Sequence, residues 1–273
     1  MIAVMLGYIK NLQLEDIDNM IATATEMGNN EAVAVLINHK SSIFSSEKIE
    51  KIEEKRIEKA MGIRKLTDAE TRKLWKCEKN MRDEIILAKY KGTDTIPIIP
   101  GSIGGKRVFG IDRNAFIDNK NIEGVIINDS IIYIDSWMLI KCHALRYNEF
   151  DNALYLGNED NPYVVLVKPK NQNIESCDIA NGTKIIAAHA FVGCTSLKNV
   201  SLPKTLTSIG MSAFENCSSL ERIIIPKSVT HVALDAFSRC AALEILCEAK
   251  KQPKEWLSGW NFDKRPVVWG YKK

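Results

Sequence analysis

Short segments in which apolar and polar residues alternate recur through the second half of the chain, as in Leu220-Glu-Arg-Ile223-Ile-Ile225. A period of two is that of a strand with one buried face. Ahead of these segments stands one repeated phrase: Ala190-Phe191-Val-Gly-Cys194-Thr-Ser-Leu197, Ala213-Phe214-Glu-Asn-Cys217-Ser-Ser-Leu220 and Ala236-Phe237-Ser-Arg-Cys240-Ala-Ala-Leu243, spaced 23 residues apart both times. A fixed period of about 20 to 29 residues with Leu and Ile at set places predicts a solenoid in which each repeat is one coil carrying one short parallel strand.

The apolar columns extend further back than the phrase. One holds Ile111, Ile134, Ile186, Ile209 and Val232, and another Ile122, Leu145, Ile174, Leu197, Leu220 and Leu243. A third reads Val125, Asn148, Cys177, Val200, Ile223 and Leu246, and a fourth Ile127, Phe150, Ile179, Leu202, Ile225 and Glu248. Six coils follow from these columns. Parallel strands lie about 4.7 to 4.9 Å apart, so like side chains of successive coils stack. Phe116, Phe191, Phe214 and Phe237 are predicted to form one ladder, with Leu139 in the second coil, and Cys142, Cys194, Cys217 and Cys240 another. The register breaks between Met138 and Ala190, where two apolar runs flank an Asn/Asp/Gly/Pro cluster. That pattern predicts a hairpin near 152–168, projecting from one edge.

Before the solenoid, 1–44 reads as a helix pair broken at Gly28-Asn29-Asn30, and 45–82 as a charged helical connector. Within the connector a helix starts near Ser46, and Thr67-Asp-Ala-Glu70 fits a capping box opening a second. Residues 83–250 form the solenoid, with Glu84 to Gly92 as its first strand, and 251–273 a C-terminal cap in which Trp256, Trp260 and Trp269 cover the last coil.

The segment Leu206-Thr-Ser-Ile-Gly to Leu220 resembles the coil of the BspA-like, Treponema-type leucine-rich repeat family, and the likeness spans roughly residues 86 to 250. In the first coils the motif has drifted to Asn114-Ala115-Phe116 and Trp137-Met138-Leu139. The resemblance implies a right-handed solenoid used for protein-protein contact, often on bacterial surfaces, and no catalytic residue. Residues Gly28 to Ile37 resemble the inner turn and second helix of an ankyrin-type repeat, without its Thr-Pro-Leu-His opening.

Composition changes this picture little. Net charge is +3, and 45–82 holds Lys/Arg and Asp/Glu interspersed, which is a solvated helix and not a nucleic-acid groove. Residues 2–9 are apolar but too short for a signal peptide, and no run reaches the roughly 18 apolar residues of a membrane span. The expectation is a cytoplasmic chain as given, or a surface one if an export signal lies upstream. Seven Cys and four His show no CxxC or paired-His spacing, so no metal, cofactor or catalytic group is expected. Stacked Cys of adjacent coils come near the distance a disulfide tolerates, but the Cys ladder is read in preference as reduced thiols filling a small apolar slot.

The strand residues facing outward are the candidate binding face for a protein partner: Tyr147, Glu149, Ser176, Asp178, Asn199, Ser201, Arg222 and Ile224, together with Gly124, Ile126, Ile245 and Cys247. The functional expectation is a non-enzymatic protein-interaction module. The alternatives are a structural spacer in a longer repeat polypeptide and a fragment of a surface adhesin.

Overall fold

A computed structural model describes residues 14–43, 67–80, 82–128, 130–139 and 142–272. The chain forms two compact units, Met1–Leu66 and Thr67–Lys273. The apolar segment 2–9 and the helix expected near Ser46 lie outside the described residues.

In the first unit, α1 (Leu14–Glu26) and α2 (Asn30–Ile43) pack as a pair around Ala24, Ala32 and Leu36. Gly28 turns the chain with φ +66°, and the Asn29 side chain accepts a hydrogen bond from the Ala32 amide at 3.0 Å, capping α2. Lys40 and Asp18 tie the two helices at 2.8 Å.

The second unit opens with α3 (Asp68–Leu74), whose start is the expected capping box: Glu70 N donates to Thr67 Oγ1 at 3.3 Å and Thr67 N to Glu70 Oε2 at 2.9 Å. Strands follow as β1 (Trp75–Lys79), β2 (Ile85–Tyr90), β3 (Ile98–Ile99), β4 (Ser102–Ile103), β5 (Lys106–Ile111), β6 (Ile126–Ile127), β7 (Tyr133–Ile134), β8 (Asn148–Phe150), β9 (Ala153–Leu156) and β10 (Val165–Pro169). Then come β11 (Ser176–Asp178), β12 (Ile185–Ile186), β13 (Asn199–Ser201), β14 (Ser208–Ile209), β15 (Arg222–Ile225), β16 (His231–Val232), β17 (Glu244–Cys247) and β18 (Val267–Trp269). Residues 67–82, assigned above to a connector, therefore belong to the compact solenoid unit. Its first strand is β1, antiparallel to β2, not the segment from Glu84.

Each later coil contributes a strand to two ladders. In one, β12, β14 and β16 run parallel, with Ile185 opposite Ser208 and Ser208 opposite His231. In the other, β11 pairs with β13, β15 with β17, and β17 in turn with β18. Both ladders enclose one apolar column after another: Ile111, Ile134, Ile186, Ile209 and Val232 are all buried. Between the ladders the Phe rings stack, Phe191 on Phe214 at 5.1 Å and Phe214 on Phe237 at 5.5 Å, with nearly parallel planes. The Phe191 amide donates to the Ala213 carbonyl and that of Phe214 to Ala236, so the Ala-Phe step is pinned from coil to coil.

Phe116 does not join that stack. It packs edge-on against Trp75 and Tyr90 in a separate core, where Leu139 is also buried, and this aromatic cluster lies at the N-terminal end of the solenoid. The separation is made by the insertion. β8, β9 and β10 form an antiparallel meander, and β10 then pairs parallel with β12. The hairpin does not project, because both of its faces are apolar and Ala153, Tyr155, Leu156 and Val164 to Val167 are buried in the two cores. Asn148 and Phe150, assigned to inward columns, are both exposed, Phe150 at 42%, since their strand leaves the parallel ladder to pair with β9.

The last coil is shorter by one residue: Ile223 lies opposite Ile245, and Ile225 opposite Cys247. Ile245 and Cys247, placed outward above, are consequently buried, and Glu248 leaves the core. The C-terminal segment closes the stack. Trp260 packs edge-on against Phe237 at 6.1 Å, Trp256 lies 4.8 Å from Trp260, and Trp269 touches both.

Candidate interaction surfaces

The strands β11, β13, β15 and β17 point alternate side chains outward in two rows. Ser176 lies beside Asn199 and Asp178 beside Ser201, all four exposed. Further along, Arg222 is paired with Glu244 at 3.2 Å, and Ile224 lies opposite Leu246, itself opposite Val268. One row is polar throughout, and the other changes from Asp178 and Ser201 to the apolar Ile224 and Val268 toward the C-terminal end, with Leu246 between them buried.

Tyr147 and Glu149 are not part of these rows, because β8 has turned into the meander. Tyr147 is half-buried with the Lys168 ammonium 5.0 Å above its ring, and burial pushes its phenol up to about 12. Glu149 is exposed and paired with Lys170 at 3.0 Å. The turn between β8 and β9 instead seals the edge of β11: Asn152 Nδ2 donates to the Ser176 carbonyl at 2.9 Å, and Asp178 N donates to Asp151 Oδ2 at 2.8 Å. A covered edge is protected from pairing with another chain.

The cysteine column has a local cause. Cys217 Sγ lies 3.2 Å from the Phe191 carbonyl and Cys240 Sγ 3.0 Å from that of Phe214, so each thiol donates to the Phe of the preceding coil. Cys142 instead reaches Asn119 O, at 3.8 Å, and not the Phe116 carbonyl that the same spacing would give. No described cysteine is bridged. Burial pushes the Cys194 thiol up to about 11, and the neighbouring Cys240 thiol together with burial holds Cys217 far above the ordinary value.

Two cavities open on the solenoid unit, one of them at the insertion, and neither was visible as a motif. The first, of about 400 Å³, is lined by Trp137, Tyr147, Lys168, Lys170, His189 and Cys194 among others. Behind it lies Asp135, 1% exposed, with Arg113 Nε and His189 Nδ1 each 3.6 Å from its oxygens. A buried thiol whose pKa is raised is the reverse of an activated nucleophile, so the Cys194, His189 and Asp135 grouping does not make a cysteine-hydrolase site.

The second, of about 470 Å³, is an apolar groove between the outward faces of β5–β7 and β14–β16, with Phe109, Ile132 and Tyr133 on one wall and Met211, His231 and Leu234 on the other. Arg82 and Glu255, from the first and last turns of the unit, bridge its rim at 2.9 Å. Burial there lowers the His231 pKa. Among the described residues no group of His, Cys, Asp and Glu is placed to hold a metal ion, and no helix is long and apolar enough to cross a membrane.

The profile of the BspA type leucine rich repeat region matches residues 104–159 and 170–250 in six copies. Similar solved structures include a T. pallidum leucine rich repeat protein, 22% identical over 67% of this chain and 81% of that one, with a TM-score of 0.31. A leucine rich cell surface protein from Faecalibacterium prausnitzii is 16% identical over 63% and 86%, TM-score 0.32. The pneumococcal vaccine antigen PcpA is 22% identical over 59% and 34%, TM-score 0.36. No curated protein matches the chain.

Proposed function

Because the chain belongs to the BspA-type leucine-rich repeat family, we propose that it is a non-enzymatic protein-interaction module whose partner lies across the outward face of β11, β13, β15 and β17. What supports this reading is the two-row composition of that face. Ser176, Asn199 and Ser201 offer hydrogen bonds without a strong field of either sign, and Ile224 with Val268 supplies an apolar patch beside the Arg222–Glu244 pair. Apolar anchors next to arginine, rimmed by small polar groups, are the composition of energetic centres in protein interfaces.

The test is to pan a displayed library of domains and peptides on the intact chain and compare Arg222→Glu and Ile224→Asp with the unaltered protein. Selected binders are expected to weaken about tenfold or more on either variant while the circular dichroism spectrum stays unchanged. Binders indifferent to both variants, or no binders at all, would favour a structural spacer.

A further inference from the structure

The cavity at the insertion is assembled from three stretches far apart in sequence: Trp137 from the coil before the meander, Lys168 and Lys170 at the end of it, and His189 from the coil after. Three basic side chains line it and, among the described residues, no carboxylate does. Lys168 lies over the Tyr147 ring, a contact with the π face that leaves its N–H donors free. Lys170 meets Glu149, which does not line the cavity. His189 is nine-tenths buried, stacks on Trp137 at 4.4 Å and is backed by the buried Asp135 at 3.6 Å. Trp137 is itself 44% exposed at this site, with Arg113 5.2 Å from its ring.

We propose that this cavity takes a carboxylate side chain from an acidic peptide segment of a protein partner. The acid enters between Lys168, Lys170 and His189, and an apolar neighbour in the peptide covers Trp137. Charge-assisted hydrogen bonds to lysine are strong where water is partly excluded, and a volume of this size admits a side chain with its flanking backbone. A nucleic acid is disfavoured because its phosphates call for a basic stripe, whereas here two lysines stand at one cavity. The inference rests on the protein-binding reading above but uses residues outside the sheet face.

The intact chain is titrated by calorimetry with an acetylated hexaglutamate peptide, with hexalysine, inorganic phosphate and oligouridylate as separate arms. Hexaglutamate alone is expected to bind, Lys168→Ala and Lys170→Ala to weaken it about tenfold each, Lys168→Arg to retain it, and Lys227→Ala on a distant turn to change nothing. Thermal melts of the variants check that they fold. If phosphate or oligouridylate binds as tightly with the same lysine dependence, the site is a general anion site and the proposal falls. If hexaglutamate fails to bind while Arg222→Glu and Ile224→Asp still lose their library binders, the cavity proposal falls and the sheet-face reading stands.

Discussion

At the scale of the residue, the recurring phenylalanine and cysteine are two halves of one device. The ring fills the space between the ladders, and the thiol of the next coil donates to that residue's own carbonyl, which also accepts the amide of the Cys three positions on, so that both lone pairs of a buried acceptor are used. Phe214→Ala should cost about 3–5 kcal/mol, because it removes a ring stacked on both sides and leaves a cavity that neighbours pinned by backbone hydrogen bonds cannot fill. A urea midpoint within error of the unaltered protein would contradict this.

The buried thiols also set a pH dependence. Burial pushes Cys177 and Cys247 up to about 12 and Cys194 to about 11, while an unfolded thiol ionises near about 8.5. Above that value the folded chain holds more protons than the unfolded one, so stability is whole below about pH 8.5 and falls as pH rises toward 11. Urea midpoints at pH 7.5 and 9.5 measure the fall. Alkylation at pH 8 should reach the half-exposed Cys77 well before the other six.

At the scale of the element, close approach between coils governs what a strand turn can carry. A Cβ on Gly210 would meet the Ala188 backbone nitrogen at 2.3 Å, so Gly210→Ala should destabilise by about 1–3 kcal/mol, read from the same midpoints. Non-glycine residues with left-handed φ recur one period apart, at His189, Ser212 and Asp235 and again at Asn216 and Arg239. The conformation at His189 is thus a property of the repeat rather than strain specific to its cavity.

Much of this level was legible from spacing. The strands, the Phe191, Phe214 and Phe237 stack, the capping box at Thr67 and the existence of a hairpin all follow from local chemistry that is the same wherever it occurs. What stayed hidden depended on count rather than type. Leu220 precedes its inward Ile223 by three residues but Leu243 precedes Ile245 by two, and alternation alone cannot report a missing residue that turns every side chain over. Asn148 and Phe150 matched their columns by number while their strand had already turned away to pair with β9. The lysine and histidine cavity had no sequence signal at all, because only the interrupted register brings Trp137, Lys168 and His189 together.

At the scale of the molecule, the solenoid unit is a stack closed at both ends by aromatic residues, Trp75 with Tyr90 at one and Trp256 with Trp260 at the other. Terminal repeats need such covers because their last coil has no neighbour. Since that unit has its own cores and caps, residues 67–273 should fold without the helix pair, giving a cooperative thermal transition and a strand-type circular dichroism spectrum; a non-cooperative melt would count against it. The Arg82–Glu255 bridge is exposed, so Glu255→Ala should change stability by less than about 1 kcal/mol.

The meander of β8 to β10 gives the array something that identical coils lack. A stack of equal repeats can slide by one whole unit and find nearly the same energy, or lend a coil to another molecule. With β10 wedged against β12, and a final coil one residue short, a chain displaced by one repeat would set valine against serine and open its tryptophan lid. Irregularity here makes a single alignment of the coils the favoured one, and it guards against exchange between copies.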